Sequence, residues 1–424
     1  MKIMILKLIL AVVALSAFAT RALAQPVQAD EGAIILQAGT VLDGKGHLLQ
    51  NVQIVVQDGK ILRVDHSPRA AKLHPSTETA NTATAKYDLR RFTVLPGWID
   101  VHDHITWHFG PNGRAEDKDE TAAHGALAAA GNAWLTLMAG FTTIQSLGSP
   151  EDKELREAIQ SGRLPGPRIL TALRPILDPA LTPEQIHEAI RQLKIDGADV
   201  VKIFASGSIR QGGIQTLTDE QIKAACDEAN AQGLRSVVHA YRIAIRAATL
   251  AGCSQVEHGT FATDDDLSIM AQHGVFFDPQ LGLVFHNYFD NKAKFLGLGS
   301  YTEEGFAKMA EVLPLVQEMF KHALATKGLK IIFGTDAVAG AHGHNAEEFI
   351  YRVQAGQDGT DAMVAANSRA AESLNLQNEI GTIAAGMQAD IIALDGDPRK
   401  DITAVRRVVF VMKGGKIYKN TSSF

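Results

Sequence analysis

Hydrophobic and polar positions fall into three textures along the chain. From 33 to 96, short apolar runs are separated by turn residues. Ala33-Ile34-Ile35-Leu36, Val52-Gln53-Ile54-Val55-Val56 and Ile61-Leu62-Arg63-Val64 read as strands, with Asp58-Gly59 as the hairpin turn between the last two. The C-terminal end repeats this texture in Asp390-Ile391-Ile392-Ala393-Leu394, Val408-Val409-Phe410-Val411-Met412 and, past Gly414-Gly415, Lys416-Ile417-Tyr418. Neither end alone can bury two faces, so 25–96 and 381–424 are expected to build one small β-sandwich. Between them, 97–380 alternates short apolar strands with helical patterns. The strands are Trp98-Val101, Thr142-Ser146, Arg168-Thr171, Val200-Phe204, Ser236-His239, Gln255-His258, Val275-Asp278 and Ile331-Gly334. Thr182-Pro183-Glu184-Gln185 and Thr218-Asp219-Glu220-Gln221 are helix starts, each with a threonine cap and a glutamine three residues on. Eight buried strands separated by helices predict an α/β chain, a (β/α)8 TIM barrel with the β-sandwich appended. The stretch from Tyr288 to Thr302 reads as an irregular lid.

Residues 1–24 stand outside that plan. A basic start (Lys2, Lys7), an apolar run from Leu8 to Ala19 and a small-residue end, Ala22-Leu23-Ala24, predict a secretory signal peptide cleaved before Gln25. The apolar run is short for a span of ~30 Å of hydrocarbon. A secreted or periplasmic protein with no membrane segment in its mature form is expected. Of the 424 residues, 46% are hydrophobic and 21% charged, which excludes a disordered, collagen-like or coiled-coil chain. The formal charge of -6, with no basic cluster, excludes nucleic acid as a partner. A small-molecule substrate and a homo-oligomer are expected instead. Cys226 lies on a helical pattern and Cys253 just before a strand, and two buried thiols are expected rather than a disulfide.

Chemistry concentrates at the strand ends, which in a barrel face the active-site mouth. The first strand ends in His102-Asp103-His104, and alternation puts both imidazoles on one face. Lys202 sits among the hydrophobes of the fourth strand, where a lysine must be paired, neutralised or modified. His239, His258 and Asp336 close the fifth, sixth and eighth strands. Taken singly, each reads as a hydrogen-bonded core residue; together, six metal-type groups at five strand ends exceed what packing needs. Imidazoles and a carboxylate suit zinc or a related divalent ion, and the set is large enough for two. Two cations need a bridging anion, which a lysine carboxylated by carbon dioxide supplies.

With these residues in view, the sequence resembles the amidohydrolase superfamily, in its imidazolonepropionase-like and Xaa-Pro-dipeptidase-like branch. The motifs are Leu95-Pro96-Gly97-Trp98-Ile99-Asp100-Val101-His102-Asp103-His104, Val201-Lys202-Ile203-Phe204-Ala205-Ser206-Gly207, Val238-His239-Ala240-Tyr241, Val256-Glu257-His258-Gly259, Gly334-Thr335-Asp336-Ala337 and the tail from Gly381 to Asp390. The resemblance implies that His102, His104 and Asp336 hold a first metal, His239 and His258 a second, and carboxylated Lys202 bridges them. It implies two divalent ions, zinc by donor type, and a hydroxide shared between them as nucleophile. Asp336 would carry the proton to the leaving nitrogen, and Tyr241 would donate a hydrogen bond to the substrate carbonyl.

The chain departs from many relatives at Gln145-Ser146, and from the dipeptidases in the loop Leu173-Arg174-Pro175-Ile176-Leu177-Asp178-Pro179, which lacks their histidine. Arg242, His286, His342 and His344, with Trp107, Phe285, Tyr288 and Phe289, are then the expected substrate contacts. A cation beside aromatic groups suits an amide whose leaving group is an amino acid. The loops Phe285–Lys292 and His342–Glu348 resemble those of secreted bacterial members that cleave N-acyl amino acids, near the ochratoxin-degrading amidohydrolases. Three alternatives are an Xaa-Pro-type dipeptidase, a cyclic-amide or lactone hydrolase, and a non-catalytic periplasmic binding protein.

Overall fold

A computed structural model describes residues 32–66, 85–115 and 119–422. The expected signal peptide, 1–24, lies outside the described residues. Among them no helix is long and apolar enough to cross a membrane.

The strands of the first half are β1 (Ile34–Leu42), β2 (Leu48–Gln57), β3 (Lys60–His66), β4 (Ala85–Pro96), β5 (Trp98–Asp103), β6 (Phe141–Ser146) and β7 (Arg168–Thr171). They are followed by β8 (Val200–Phe204), β9 (Arg235–Ala240), β10 (Gln255–His258), β11 (Phe276–Asp278), β12 (Lys330–Ile331), β13 (Ile391–Leu394), β14 (Val408–Lys413) and β15 (Lys416–Asn420). The β2–β3 hairpin turns at Asp58-Gly59, both with positive φ (50° and 78°), as a tight two-residue turn requires.

The two chain ends do meet, but edge to edge rather than as the expected pair of facing sheets. They form one seven-stranded sheet in the order β15-β14-β13-β4-β1-β2-β3. The long strand β4 makes this possible, because it pairs with β1 on one edge and with β13 on the other, Val94 opposite Ala393. The sheet then turns back on itself. The Ile61 N–H donates to the Met387 carbonyl at 2.8 Å, and Lys60 bridges Gln388. Ile54, Leu89, Ile391 and Phe410 thereby share one core.

The other eight strands form two parallel sheets, β5-β6-β7 and β12-β11-β10-β9-β8. Backbone hydrogen bonds join them on both sides. Ile176 N–H donates to the Lys202 carbonyl (2.8 Å) and Phe204 N–H to the Ile176 carbonyl (2.9 Å). Val101 N–H donates to the Phe333 carbonyl (3.0 Å) and His104 N–H to the Ala337 carbonyl (2.9 Å). Every residue of β5, β6, β9 and β10 is buried, as strands covered on both faces must be. The ladder of β12 is shorter than the expected Ile331-Gly334, because Asp100 captures the backbone and hydroxyl of Thr335 through its side chain.

Helices cover this layer. Pro183–Asp196 and Asp219–Ala231 both begin with reciprocal capping boxes, Thr182 with Gln185 and Thr218 with Gln221. The first buries Ile186, Ile190 and Leu193, spaced for one face. The stretch expected to be irregular, Tyr288 to Thr302, is only partly so, because about half of it is helical. Leu283–Asp290 and Lys292–Phe295 are helices, and Thr302 caps Glu303–Ala325. Its polar residues hid an apolar face: Val284, Phe285, Tyr288 and Phe295 are buried, and Tyr288 packs edge-on against Phe295 at 5.0 Å.

Cys226 and Cys253 form a disulfide, against the expectation of two thiols. Neighbouring units of the parallel layer bring the helix Asp219–Ala231 beside the turn before β10, so the two Cα atoms lie 5.1 Å apart, within bridging range. Closing a loop with a sequence separation of 27 should stabilise the fold by ~3–4 kcal/mol. Dithiothreitol should therefore lower the melting temperature of the wild type and leave that of a Cys226→Ala/Cys253→Ala variant unchanged. Identical sensitivity of the two in scanning calorimetry would contradict the bridge.

Candidate metal centre and its cleft

Because the eight strands run parallel, their C-terminal ends deliver side chains to one place. His102 and His104, two apart at the end of β5, face the same way. Lys202 on β8, His239 on β9, His258 on β10 and Asp336 beyond β12 join them as lining of one cleft. Asp336 Oδ1 is 3.3 Å from both His102 Nε2 and His104 Nε2. Lys202 Nζ is 3.5 Å from His102 Nε2. The rings of His239 and His258 are 4.5 Å apart, and those of His102 and His258 5.3 Å.

The backbone is held in unusual conformations to achieve this. His258 and Asp336 have φ of 61° and 52°, where non-glycine residues are sparse and cost about 1–3 kcal/mol each. Two glycines permit close approach. A Cβ at Gly334 would lie 2.0 Å from Asp278 Oδ2 and 2.8 Å from His102 Cβ, and one at Gly213 would lie 2.7 Å from Tyr241 Cβ.

A second layer orients the first. His102 Nδ1 lies 2.5 Å from Glu257 Oε2. Gln255 Nε2 and Gln280 Nε2 donate to the same carboxylate at 2.6 and 3.1 Å. Asp100 accepts from Thr335 Oγ1 (2.6 Å), Asn345 Nδ2 (2.9 Å) and the His102 N–H (3.1 Å), tying β5 to the segment bearing Asp336. The bond to Glu257 assigns the His102 proton to Nδ1 and leaves a lone pair on Nε2.

Electrostatics follow from burial. It pushes His102, His239 and His258 well below the ordinary imidazole value, which favours the neutral ring that can act as a ligand. Burial also lowers the Lys202 ammonium, against the pull of Glu257 and Asp336. For Asp336, burial alone would raise the carboxyl, but the imidazoles of His102, His104 and His258 outweigh it and hold it well below the carboxylate range. Tyr241 is raised by burial and by Asp336, so its hydroxyl stays a donor.

These residues fit a divalent metal. The lone pair of His102 Nε2 points at the Asp336 carboxylate, two acceptors 3.3 Å apart that need a cation between them. His102, His104 and Asp336 each offer one ligand atom within 4.8 Å of the others, and the buried His104 Nδ1 has no partner among the described residues. His102, Glu257 and Asp278 lie equally close together, but there the carboxylates face Nδ1 and serve as its support.

The expected substrate contacts divide. Trp107, Phe285 and Tyr288 line the cleft with Tyr241. Arg242, His286, His342 and His344 are not among the residues that line it. Arg242 is exposed, donates from Nε to the Gly212 carbonyl and lies over Phe261. His286 stacks on Tyr351 at 4.7 Å. His342 is buried behind β5, 3.3 Å from Asp103 Oδ1, and His344 is exposed on a turn. Phe289 packs towards Phe306. In each case helix phase or chain direction turns the side chain away from the mouth. Besides Lys202, Arg210 lines the cleft, a residue missed from sequence. Its Nε donates to Ser300 Oγ at 2.9 Å, and its guanidinium lies 3.8 Å over Tyr301 and 5.5 Å from Tyr288. Its one sequence signal was a position just past the fourth parallel strand.

The model of the amidohydrolase family matches residues 93–418. The chain belongs to the amidohydrolase family. It is a hydrolase acting on amide bonds, in a family that is typically metal-dependent. It is 25% identical to the ochratoxinase of Aspergillus niger over 436 aligned positions, covering 91% of this chain and 86% of the relative. An Xaa-Pro dipeptidase solved with methionine bound in its active site superposes with a TM-score of 0.81 at 28% identity, over 92% of this chain and all of the other. A prolidase complexed with N-methylphosphonate-L-proline gives 0.78 at 26%, again over 92% and all of the other. Amidohydrolase-fold relatives of this kind imply a TIM barrel with an additional domain, and the chain shares with them the mixed α/β architecture with parallel sheets.

Removing the Glu257 charge tests the supporting layer. Glu257→Gln should weaken metal retention by roughly 10–100-fold against a chelator while leaving the fold intact. Unchanged retention, read from metal content after dialysis, would show that His102 is oriented by other means.

Proposed function

We propose that this amidohydrolase is an exported binuclear metal amidase on a closed (β/α)8 barrel, and that it cleaves the amide of N-acyl amino acids, such as ochratoxin-like aryl amides of phenylalanine. The observation that carries the reading is one cleft in which six metal-type groups adjoin Arg210 and a wall of Tyr288, Tyr301, Phe285 and Trp107. An always-charged guanidinium held over aromatic rings suits a carboxylate attached to a bulky apolar group.

His102, His104 and Asp336 would hold one divalent ion and His239 with His258 a second, zinc being the choice of donor type. Lys202 would bridge them after its amine nitrogen adds to carbon dioxide and loses a proton, replacing a buried cation with an anion. When bound, such ions lower the pKa of a coordinated water and polarise the scissile carbonyl. The protein's own groups do the rest. Asp336, an ionised carboxylate, takes the proton of the attacking water on its oxygen and passes it to the leaving amide nitrogen. The Tyr241 hydroxyl donates to the carbonyl oxygen as charge develops there. Arg210 fixes the leaving amino acid by its carboxylate.

Methylating the substrate carboxylate should lower kcat/KM by roughly tenfold to a hundredfold, since a charged hydrogen bond is worth ~1.5–3 kcal/mol. Arg210→Ala should remove that difference, while Arg242→Ala should keep it. Equal efficiency on acid and ester in the wild type overturns the amino-acid leaving group.

Asp336→Asn preserves shape but cannot accept the proton. Turnover should fall by roughly 10²–10⁴. Near-normal turnover with metal content preserved would assign the proton transfer elsewhere.

Likeness to the Xaa-Pro dipeptidase favours a second reading, hydrolysis of dipeptides ending in proline. Comparing N-acyl phenylalanines with Xaa-Pro dipeptides in one panel separates the two.

A further inference from the structure

Beside the cleft mouth, outside the centre described above, lies a second cluster. His108 sits on the loop after β5, Glu120 just before the helix Ala122–Met138, and His124 in that helix's first turn. Glu120 Oε1 lies 2.7 Å from His108 Nε2 and also contacts His124 Nδ1. One ligand atom from each falls within 4.8 Å of the others.

The arrangement of protons decides what this cluster can do. His108 Nδ1 lies 2.7 Å from the Thr106 carbonyl, which can only accept, so Nδ1 carries the proton. In the neutral ring Nε2 is then a lone pair, and it faces a carboxylate oxygen. Glu120 stands directly before Thr121, the cap of this helix, where the positive end of the helix dipole suits a carboxylate. A backbone carbonyl that fixes the tautomer of a histidine while its other nitrogen meets a carboxylate is the arrangement of a supported metal ligand.

We propose that His108, Glu120 and His124 form a further divalent-cation site, of zinc type by its two imidazoles and one carboxylate. Three protein ligands leave a fourth tetrahedral position for water. An ion there clamps the loop after β5 to the helix. Asn132 of that helix already reaches across, donating to the carbonyls of Ile105 (2.9 Å) and Trp107 (3.0 Å). Trp107, between His104 and His108 on the loop, lines the cleft, so the clamp borders the substrate wall. The site does not depend on the amidase reading, because none of its ligands belongs to the inner cluster.

Zinc content tests it. Wild type, His124→Ala and Glu120→Gln are dialysed against Zn2+, desalted, and their bound metal counted per chain. Each variant should carry one zinc fewer than the wild type, whatever the inner cluster holds. The same count in wild type and His124→Ala overturns the site. The His124 side chain is about half exposed (46%), so its removal should leave the fold intact, which circular dichroism checks. Should a variant unfold, diethyl pyrocarbonate decides on the wild type: Zn2+ should protect His108 and His124 from modification, and equal modification with and without Zn2+ overturns the proposal.

Discussion

Gathering a lysine, imidazoles and an aspartate in a buried space is the constraint from which the rest of this structure follows. Lys202 and His102 are almost entirely removed from water, and Asp336 retains only slight exposure. Isolated charges there would be severely penalised. Burial answers part of the problem by neutralising the imidazoles, and a dense hydrogen-bond layer answers more. Glu257 and Asp100 are fully buried acids whose partners are the backbone and side chains of the same strand ends. These bonds hold the His102 ring and the Asp336 backbone, so the cluster is organised by the protein itself.

That layer also reaches the cleft wall. Gln280 joins Glu257 to Asp278, and Arg352 joins Asp278 to Glu348 at 3.2 and 3.4 Å. The Glu348 carboxylate accepts the backbone N–H groups of Leu281, Gly282 and Leu283 at 2.7–3.0 Å. Those residues start the helix Leu283–Asp290, which bears Phe285 and Tyr288. The hydrogen bonds are thus continuous from the ring of His102 to the helix that walls the cleft. Metal-type centre and cleft wall share one scaffold, and a change in one has a physical route to the other.

Arg210 illustrates how the wall is assembled from distant pieces. It belongs to the short 3-10 turn Ile209–Gln211, whereas Ser300 and Tyr301 come from the connection ahead of the helix Glu303–Ala325. Tyr301 and Tyr288 bond through their hydroxyls at 3.0 Å, and both rings border the guanidinium. A flat cation between phenol rings keeps its charge in a mostly apolar surrounding.

The sequence alone determined what depends on local periodicity and residue chemistry. Alternating apolar runs fixed the parallel strands, threonine and glutamine fixed the helix starts, and the Asp58-Gly59 turn fixed a hairpin. The inner cluster was legible for the same reason, since a residue at the C-terminal end of a parallel strand has its direction set by the strand. Direction is not set in loops and helices that follow the strands, and there tertiary structure decided. Arg242 and Arg210 both follow strand ends, but the left-handed backbone at Arg242 (φ 54°) sends its side chain over Phe261, while the turn bearing Arg210 sends the other into the cleft. The pairing of Cys226 with Cys253, the joining of both chain ends through β4 and the meeting of His108 with His124 were likewise decided only in three dimensions. Each is a contact between segments whose separation in sequence carries no periodic signal, and only the packing of neighbouring elements brings them within bonding distance.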